Sequence, residues 1–159
     1  MDTVSHALWG KGLFGYRRYQ KYAILFGSLP DLMSFGVYFF YSIVANPTNY
    51  KMGKPALNEI PNWVFSLYDI SHSIIIAFIF IAIVSLLNRD LCFPMFAWPF
   101  HILLDFFTHS TEYFPTPIFW PISNYRFDGI PWSTPAVWYT NLILIVLLFV
   151  YRKRFSNNL

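Results

Sequence analysis

The chain has 159 residues, of which 56% are apolar, 22% aromatic and only 12% charged, and that charged share is about half of what an ordinary soluble domain carries. This balance excludes a conventional water-solvated surface and suits one lipid-embedded domain over residues 1–159. The net charge of +3 does not read as nucleic-acid binding, because the basic residues sit at the ends of apolar runs and line no polar face.

The segment from Asp2 to Tyr16 is apolar but shorter than the roughly 20 residues a spanning helix needs. It either lies in the interface or dips into a bundle as a half-helix rooted at Arg17 and Arg18. Asp2 and His6 stand where a cleavable signal would carry basic residues, so no such signal is expected. Tyr22 to Ala45 is long enough to span, and Gly27, Ser28 and Pro30 just before Asp31 predict a broken helix lining a cavity. Trp63 to Leu87 is the second span, with Asp69 and His72 inside it. Cys92 to Phe107 carries His101 and Asp105, so it must be shielded from lipid by the other helices. Cys92 is the only cysteine, which rules out a disulfide framework. From Glu112 to Pro135 runs a loop of prolines and aromatics, which predicts an ordered cap at the outer surface. Pro135 to Tyr151 is the last span, short unless its aromatic ends reach the interfaces. The expected fold is an all-α integral membrane bundle of about four spanning helices, with an N-terminal half-helix and an extracytoplasmic cap. With both termini cytoplasmic, eight basic residues lie inside and three (Lys51, Lys54 and Arg126) outside, which the positive-inside rule favours. No internal repeat is visible.

His101, Asp105 and His109 recur at i, i+4 and i+8, which sets three potential ligands on nearly one helical face, and Asp2 with His6 repeats the spacing. Counted along the helices, His6, Asp31, His72, His101 and Asp105 fall roughly 13 to 20 Å from the cytoplasmic edge of a core about 30 Å thick. Unpaired burial there costs several kcal/mol per group, so the layer calls for mutual pairing or a shared cation. Asp69, three residues before His72, is a candidate to orient an imidazole. Ser71, Ser73, Thr108 and Ser110 flank the histidines and are expected to bond backbone or a neighbouring carboxylate.

The opening Met-Asp-Thr-Val-Ser-His6, the Gly27-Ser-Leu-Pro-Asp31 segment, Ile70-Ser-His72-Ser and His101-Ile-Leu-Leu-Asp105-Phe-Phe-Thr-His109-Ser resemble the membrane-bound metal-dependent hydrolases related to the LexA-regulated inner-membrane protein of enteric bacteria. The likeness runs through most of the chain, including the Phe-Pro-Thr-Pro and Trp-Pro-Ile-Ser stretches of the cap. The same pattern is more distantly similar to the soluble helical zinc phospholipases C and single-strand nucleases. The resemblance implies His6, Asp31, His72, His101 and Asp105 as metal ligands, with Asp2 and His109 as further candidates. It also implies hydrolysis. Many family members carry a histidine and an arginine shortly before the central histidine, where Leu67, Tyr68 and Asp69 stand here.

The resulting expectation is a hydrolase of the inner membrane that uses one or two divalent ions, foremost Zn2+, on a phosphoester or ester of a lipid-like substrate. Asp105 is placed to bridge two ions, Asp2 or Glu112 to act as general base, and Arg126 with Asp128 to grip a polar head group. The rival is a metal-ion transporter or a metal-binding membrane protein without hydrolytic activity, for which ionisable groups at mid-membrane are equally natural.

Overall fold

The computed structural model describes residues 1–45 and 53–156. Lys51, counted above with the outer basic residues, lies outside them. Among the described residues the regular structure is entirely helical.

Helix α1 (Thr3–Phe14) starts at Asp2, whose carboxylate accepts the Ser5 N–H at 2.9 Å and so satisfies one orphan donor of the first turn. It does not lie apart from the bundle: it packs against the next helix and against the two late helices that carry the ligand-bearing face and the C-terminus. Glycine makes this approach possible. A Cβ on Gly10 would stand 2.3 Å from the Ala23 carbonyl oxygen, and one on Gly27 would stand 2.5 Å from the His6 carbonyl oxygen.

Helix α2 (Gln20–Asp31) continues through a π-helical turn (Leu32–Gly36) into α3 (Val37–Ala45). The expected break at Gly27, Ser28 and Pro30 does not occur. Pro30 stays within the helix, and the chain absorbs it by widening the following turn, where the Ser34 hydroxyl bonds the Pro30 carbonyl at 3.0 Å. The break falls instead in the second span. Helix α4 (Asn62–Ser71) and α5 (Ile74–Leu87) meet at 58°, with His72 and Ser73 at the corner. The Ser73 hydroxyl accepts the Ile76 N–H at 3.3 Å, which is the N-cap that restarts the helix.

Helices α6 (Cys92–Met95) and α7 (Ala97–Thr108) follow, then the long segment to α8 (Pro135–Ser156). α8 runs beyond Tyr151, so the last span is not short. Among the described residues, three helices are long and apolar enough to cross a membrane, Gln20–Ala45, Arg89–Thr108 and Pro135–Arg154, and four if the bent α4–α5 pair is one span. Large apolar side chains point outward from them, Phe40 at 72% and Leu86 at 86% exposure, while His6, His72, His101 and Asp105 are buried. That inversion of the water-soluble pattern suits a bundle solvated by hydrocarbon.

The segment between α7 and α8 forms an ordered cap. Its backbone N–H groups at Gly129, Ile130 and Trp132 bond the carbonyls of His109, Phe107 and Thr108 at 2.9, 3.1 and 2.8 Å, which satisfies the exposed C-terminal end of α7. The Ile74 N–H bonds the Ile118 carbonyl at 3.0 Å, and the Ser73 hydroxyl donates to the Trp120 carbonyl, so the cap is also fastened to the α4–α5 corner.

Candidate metal centre

Four of the five residues implied as ligands converge: Asp31 from α2, His72 from the α4–α5 corner, and His101 and Asp105 one turn apart on α7. One ligand atom from each lies within 4.8 Å of all the others, and all four residues are buried. The Nε2 atoms of His72 and His101 are 3.2 Å apart. Asp105 Oδ2 lies 3.2 Å from His101 Nε2 and 3.5 Å from His72 Nε2, and Asp31 Oδ1 lies 3.7 and 3.6 Å from the same two atoms. Ligand edges around a tetrahedral ion with bonds near 2.0–2.1 Å are about 3.3 Å, so this group fits such an ion with little adjustment.

Each donor is held by its other polar atom. His101 Nδ1 donates to the Gly27 carbonyl at 2.7 Å. His72 Nδ1 sits 2.9 Å from the Ser71 hydroxyl and 3.2 Å from the Tyr68 carbonyl. The Thr3 hydroxyl donates to Asp31 Oδ2 at 2.7 Å, and His6 Nε2 is 2.8 Å from Asp105 Oδ1. In the neutral tautomer with the proton on Nδ1, which the Gly27 and Tyr68 carbonyls favour, both Nε2 atoms present lone pairs to each other and to two carboxylate oxygens. Asp105 Oδ2 accepts no hydrogen bond although it is buried. Acceptors facing acceptors at these distances repel, and a cation between them removes the conflict. The arrangement can therefore hold a metal ion, with its orienting partners already in place.

His6 and His109 are not in the four-donor group. His6 stacks on the His101 ring with centroids 3.5 Å apart and contacts the opposite oxygen of Asp105. His109 Nε2 is 3.6 Å from that same Oδ1, and the Met1 amino nitrogen contacts it too. His109 Nδ1 is held by the Phe114 carbonyl at 2.9 Å and the Tyr68 hydroxyl at 3.0 Å. Asp2 is engaged as the cap of α1, its second oxygen accepting from the Ser5 hydroxyl at 2.6 Å. Ser5 in turn accepts from Asn141 of α8 at 2.8 Å.

Beside the centre lies a cavity of about 740 Å³, bordered by Asp2, Asp31, His109 and Glu112. Of the four donors only Asp31 borders it, so the centre is reached from that side. Arg126 and Asp128, the residues expected to grip a head group, do not border it. Arg126 donates to the Pro115 carbonyl and to Asp69, each at 2.8 Å. This also places Asp69 on the guanidinium, away from any imidazole. Asp128 accepts the Thr111 N–H and hydroxyl at 2.7 and 2.9 Å, which holds its carboxyl below the usual range. Thr108 bonds the Leu104 carbonyl, in keeping with a backbone role for the hydroxyls near the histidines.

The sequence reasoning passed over Tyr68, which is fully buried, stacks on His72 and bonds the cap carbonyl of Phe114 at 2.9 Å. Its i, i+4 spacing to His72 was the available signal. It also passed over the Gly27 carbonyl, which no side-chain motif advertises, and Lys54, which borders the cavity. No protein-family model, no curated protein and no solved structure matches the chain.

Proposed function

We propose that this protein is a membrane-embedded, zinc-dependent hydrolase of the inner membrane that cleaves a phosphoester or ester bond of a lipid-like substrate. The observation that carries the reading is the set of four buried acceptors, two imidazole Nε2 atoms and two carboxylate oxygens, each pinned from behind and aimed at one point. Two imidazole nitrogens and two carboxylate oxygens within 4.8 Å of one another suit Zn2+. An ion held there would supply Lewis acidity to the scissile group and activate a water admitted on the Asp31 side as a further ligand, because four protein donors alone make a closed site.

The chain's own residues divide the remaining work. Asp105 keeps one oxygen for the centre while His6 holds the other, so its orientation does not depend on the ion. Asp2 has both oxygens committed to Ser5. Glu112 borders the same cavity and is the carboxylate free to take a proton at its Oε atoms. The cavity is lined by Phe35 and Phe39 and by polar residues of the cap, a combination that suits an amphiphile. With the bent α4–α5 pair taken as one span, four crossings return the chain to its starting side, in line with both termini cytoplasmic. The resemblance of the His6, Asp31, His72 and His101-x-x-x-Asp105 segments to membrane-bound metal-dependent hydrolases supports the same assignment.

The test is incubation of the metal-loaded protein in detergent with total lipid extract and with water-soluble phosphodiesters, comparing wild type with His101→Ala. A lipid product made by wild type and lost in the variant supports the assignment. Metal flux across proteoliposomes without hydrolysis of any substrate would instead identify a transporter.

A further inference from the structure

The cavity beside the metal centre has one basic side chain among its described lining residues, Lys54. Its ammonium lies 3.7 Å from the centroid of the Tyr113 ring, a cation–π contact that fixes the charge without neutralising it. Tyr113 is itself held: its hydroxyl donates to the Pro55 carbonyl at 3.0 Å, which ties the loop bearing Lys54 to the cap. Burial pushes the Tyr113 phenol up to about 12, so the ring under the ammonium stays neutral. Lys54 makes no ion pair with any described carboxylate, whereas the cationic head of Arg126 is spent on Asp69 and Pro115. Phe35 and Phe39, which also line the cavity, belong to the π turn and α3, whose outer face exposes Val37, Phe40 and Tyr41. A fixed side-chain cation and an aromatic wall continuous with an apolar helix face, both lining one cavity, suit the two halves of an anionic amphiphile.

We propose that Lys54, seated on Tyr113, is the specificity-determining residue for an anionic amphiphile whose phosphate-type group rests on its ammonium while its apolar chain runs along Phe35 and Phe39. This deepens the lipid-hydrolase reading and rests on it for the adjacency of the bound anion to the metal centre. Glu112 on the same cavity repels a second negative group, so the ligand carries one anionic group at this place.

The experiment measures binding by calorimetry to full-length protein in neutral detergent at matched metal content. The ligands are dioctanoyl phosphatidate, dioctanoylglycerol, glycerol 3-phosphate and inorganic phosphate. Wild type is compared with Lys54→Met, Lys54→Arg, His101→Ala and the combined His101→Ala, Lys54→Met variant. Lys54 is exposed, so the Met variant is expected to keep the wild-type unfolding midpoint. Phosphatidate binding should weaken about tenfold in Lys54→Met, the size of one charge-assisted contact, and recover in Lys54→Arg. Dioctanoylglycerol binding should not respond to the substitution, and the two soluble phosphates should bind more weakly than phosphatidate. The dependence on Lys54 should persist in His101→Ala, which separates it from the metal. Equal phosphatidate affinity in wild type and Lys54→Met overturns the proposal, even if lipid hydrolysis is observed. Glycerol 3-phosphate binding as tightly as phosphatidate overturns the amphiphile half. Lys54-dependent binding with no turnover of any lipid would remove the hydrolase reading and leave the anion site standing.

Discussion

Replacing Gly27 with alanine tests how the bundle builds its centre. The new Cβ would meet the His6 carbonyl oxygen at 2.5 Å, the His6 carbonyl carbon at 3.2 Å and the Gly10 Cα at 3.3 Å, all of them backbone atoms that cannot rotate away. Ordinary contact begins near 3.4 Å, so α1 must retreat from α2 by about 1 Å, at a cost of about 1–3 kcal/mol. The retreat carries His6 away from Asp105, now at 2.8 Å, and tilts the Gly27 carbonyl that holds His101 at 2.7 Å. Disturbing such orienting partners lowers metal affinity by about 10- to 100-fold. Gly36→Ala is the control, because its Cβ would find nothing closer than the Leu32 side chain at 3.4 Å, and there the substitution should stabilise by about 0.4–1 kcal/mol. The assay pairs thermal unfolding in detergent with zinc titration against a competing chelator. Gly27→Ala with wild-type midpoint and wild-type zinc affinity would refute the claim that this glycine contact positions the centre.

Further outcomes follow from the cap and the topology. Arg126→Ala should cost about 0.5–1 kcal/mol, because its partner pair is only partly buried, and should speed proteolysis within residues 115–130 without changing lipid affinity. A loss of lipid affinity would return Arg126 to the head-group role. The Asp128 carboxyl titrates below the usual range because Thr111 donates to it twice. Its contribution is therefore fully present above the ordinary carboxylate pKa and is lost as pH falls through the lower folded value. Carbon-detected NMR titration of the Asp128 carboxyl should show that acidic midpoint, and a midpoint at or above the ordinary value would contradict it. With single cysteines at Asn58 and Lys153, impermeant reagent added to intact cells should label the first and spare the second. Labelling of Lys153→Cys alone would invert the topology.

The ligand-bearing residues were legible because polar side chains in apolar runs have few reasons to be there. Depth counted along each helix put His6, Asp31, His72, His101 and Asp105 in one layer, and the structure buries all of them. Their division into a four-donor group and an outer pair was not legible, since it depends on which carboxylate oxygen faces which ring. The helix breaks were misplaced for a definite reason. Pro30 removes one N–H, but a widened turn absorbs it when neighbouring helices hold both sides. The corner at His72 and Ser73 carries neither proline nor glycine, and its Ser73 cap is one hydroxyl among several in the sequence. Arg126 stood out as the one basic residue of the cap, and its pairing with Asp69, 57 positions away, is one that local spacing cannot reveal.

The central claim is that one divalent ion sits between the two imidazoles and the two carboxylates. Anomalous diffraction across the zinc absorption edge, from crystals of protein equilibrated with zinc, tests it directly. The account predicts one peak within bonding distance of His72 Nε2, His101 Nε2, Asp31 and Asp105, open toward the cavity bordered by Asp31. Diffraction that shows the four side chains well ordered with no peak between them would contradict it, and would mean that protons alone hold the cluster together.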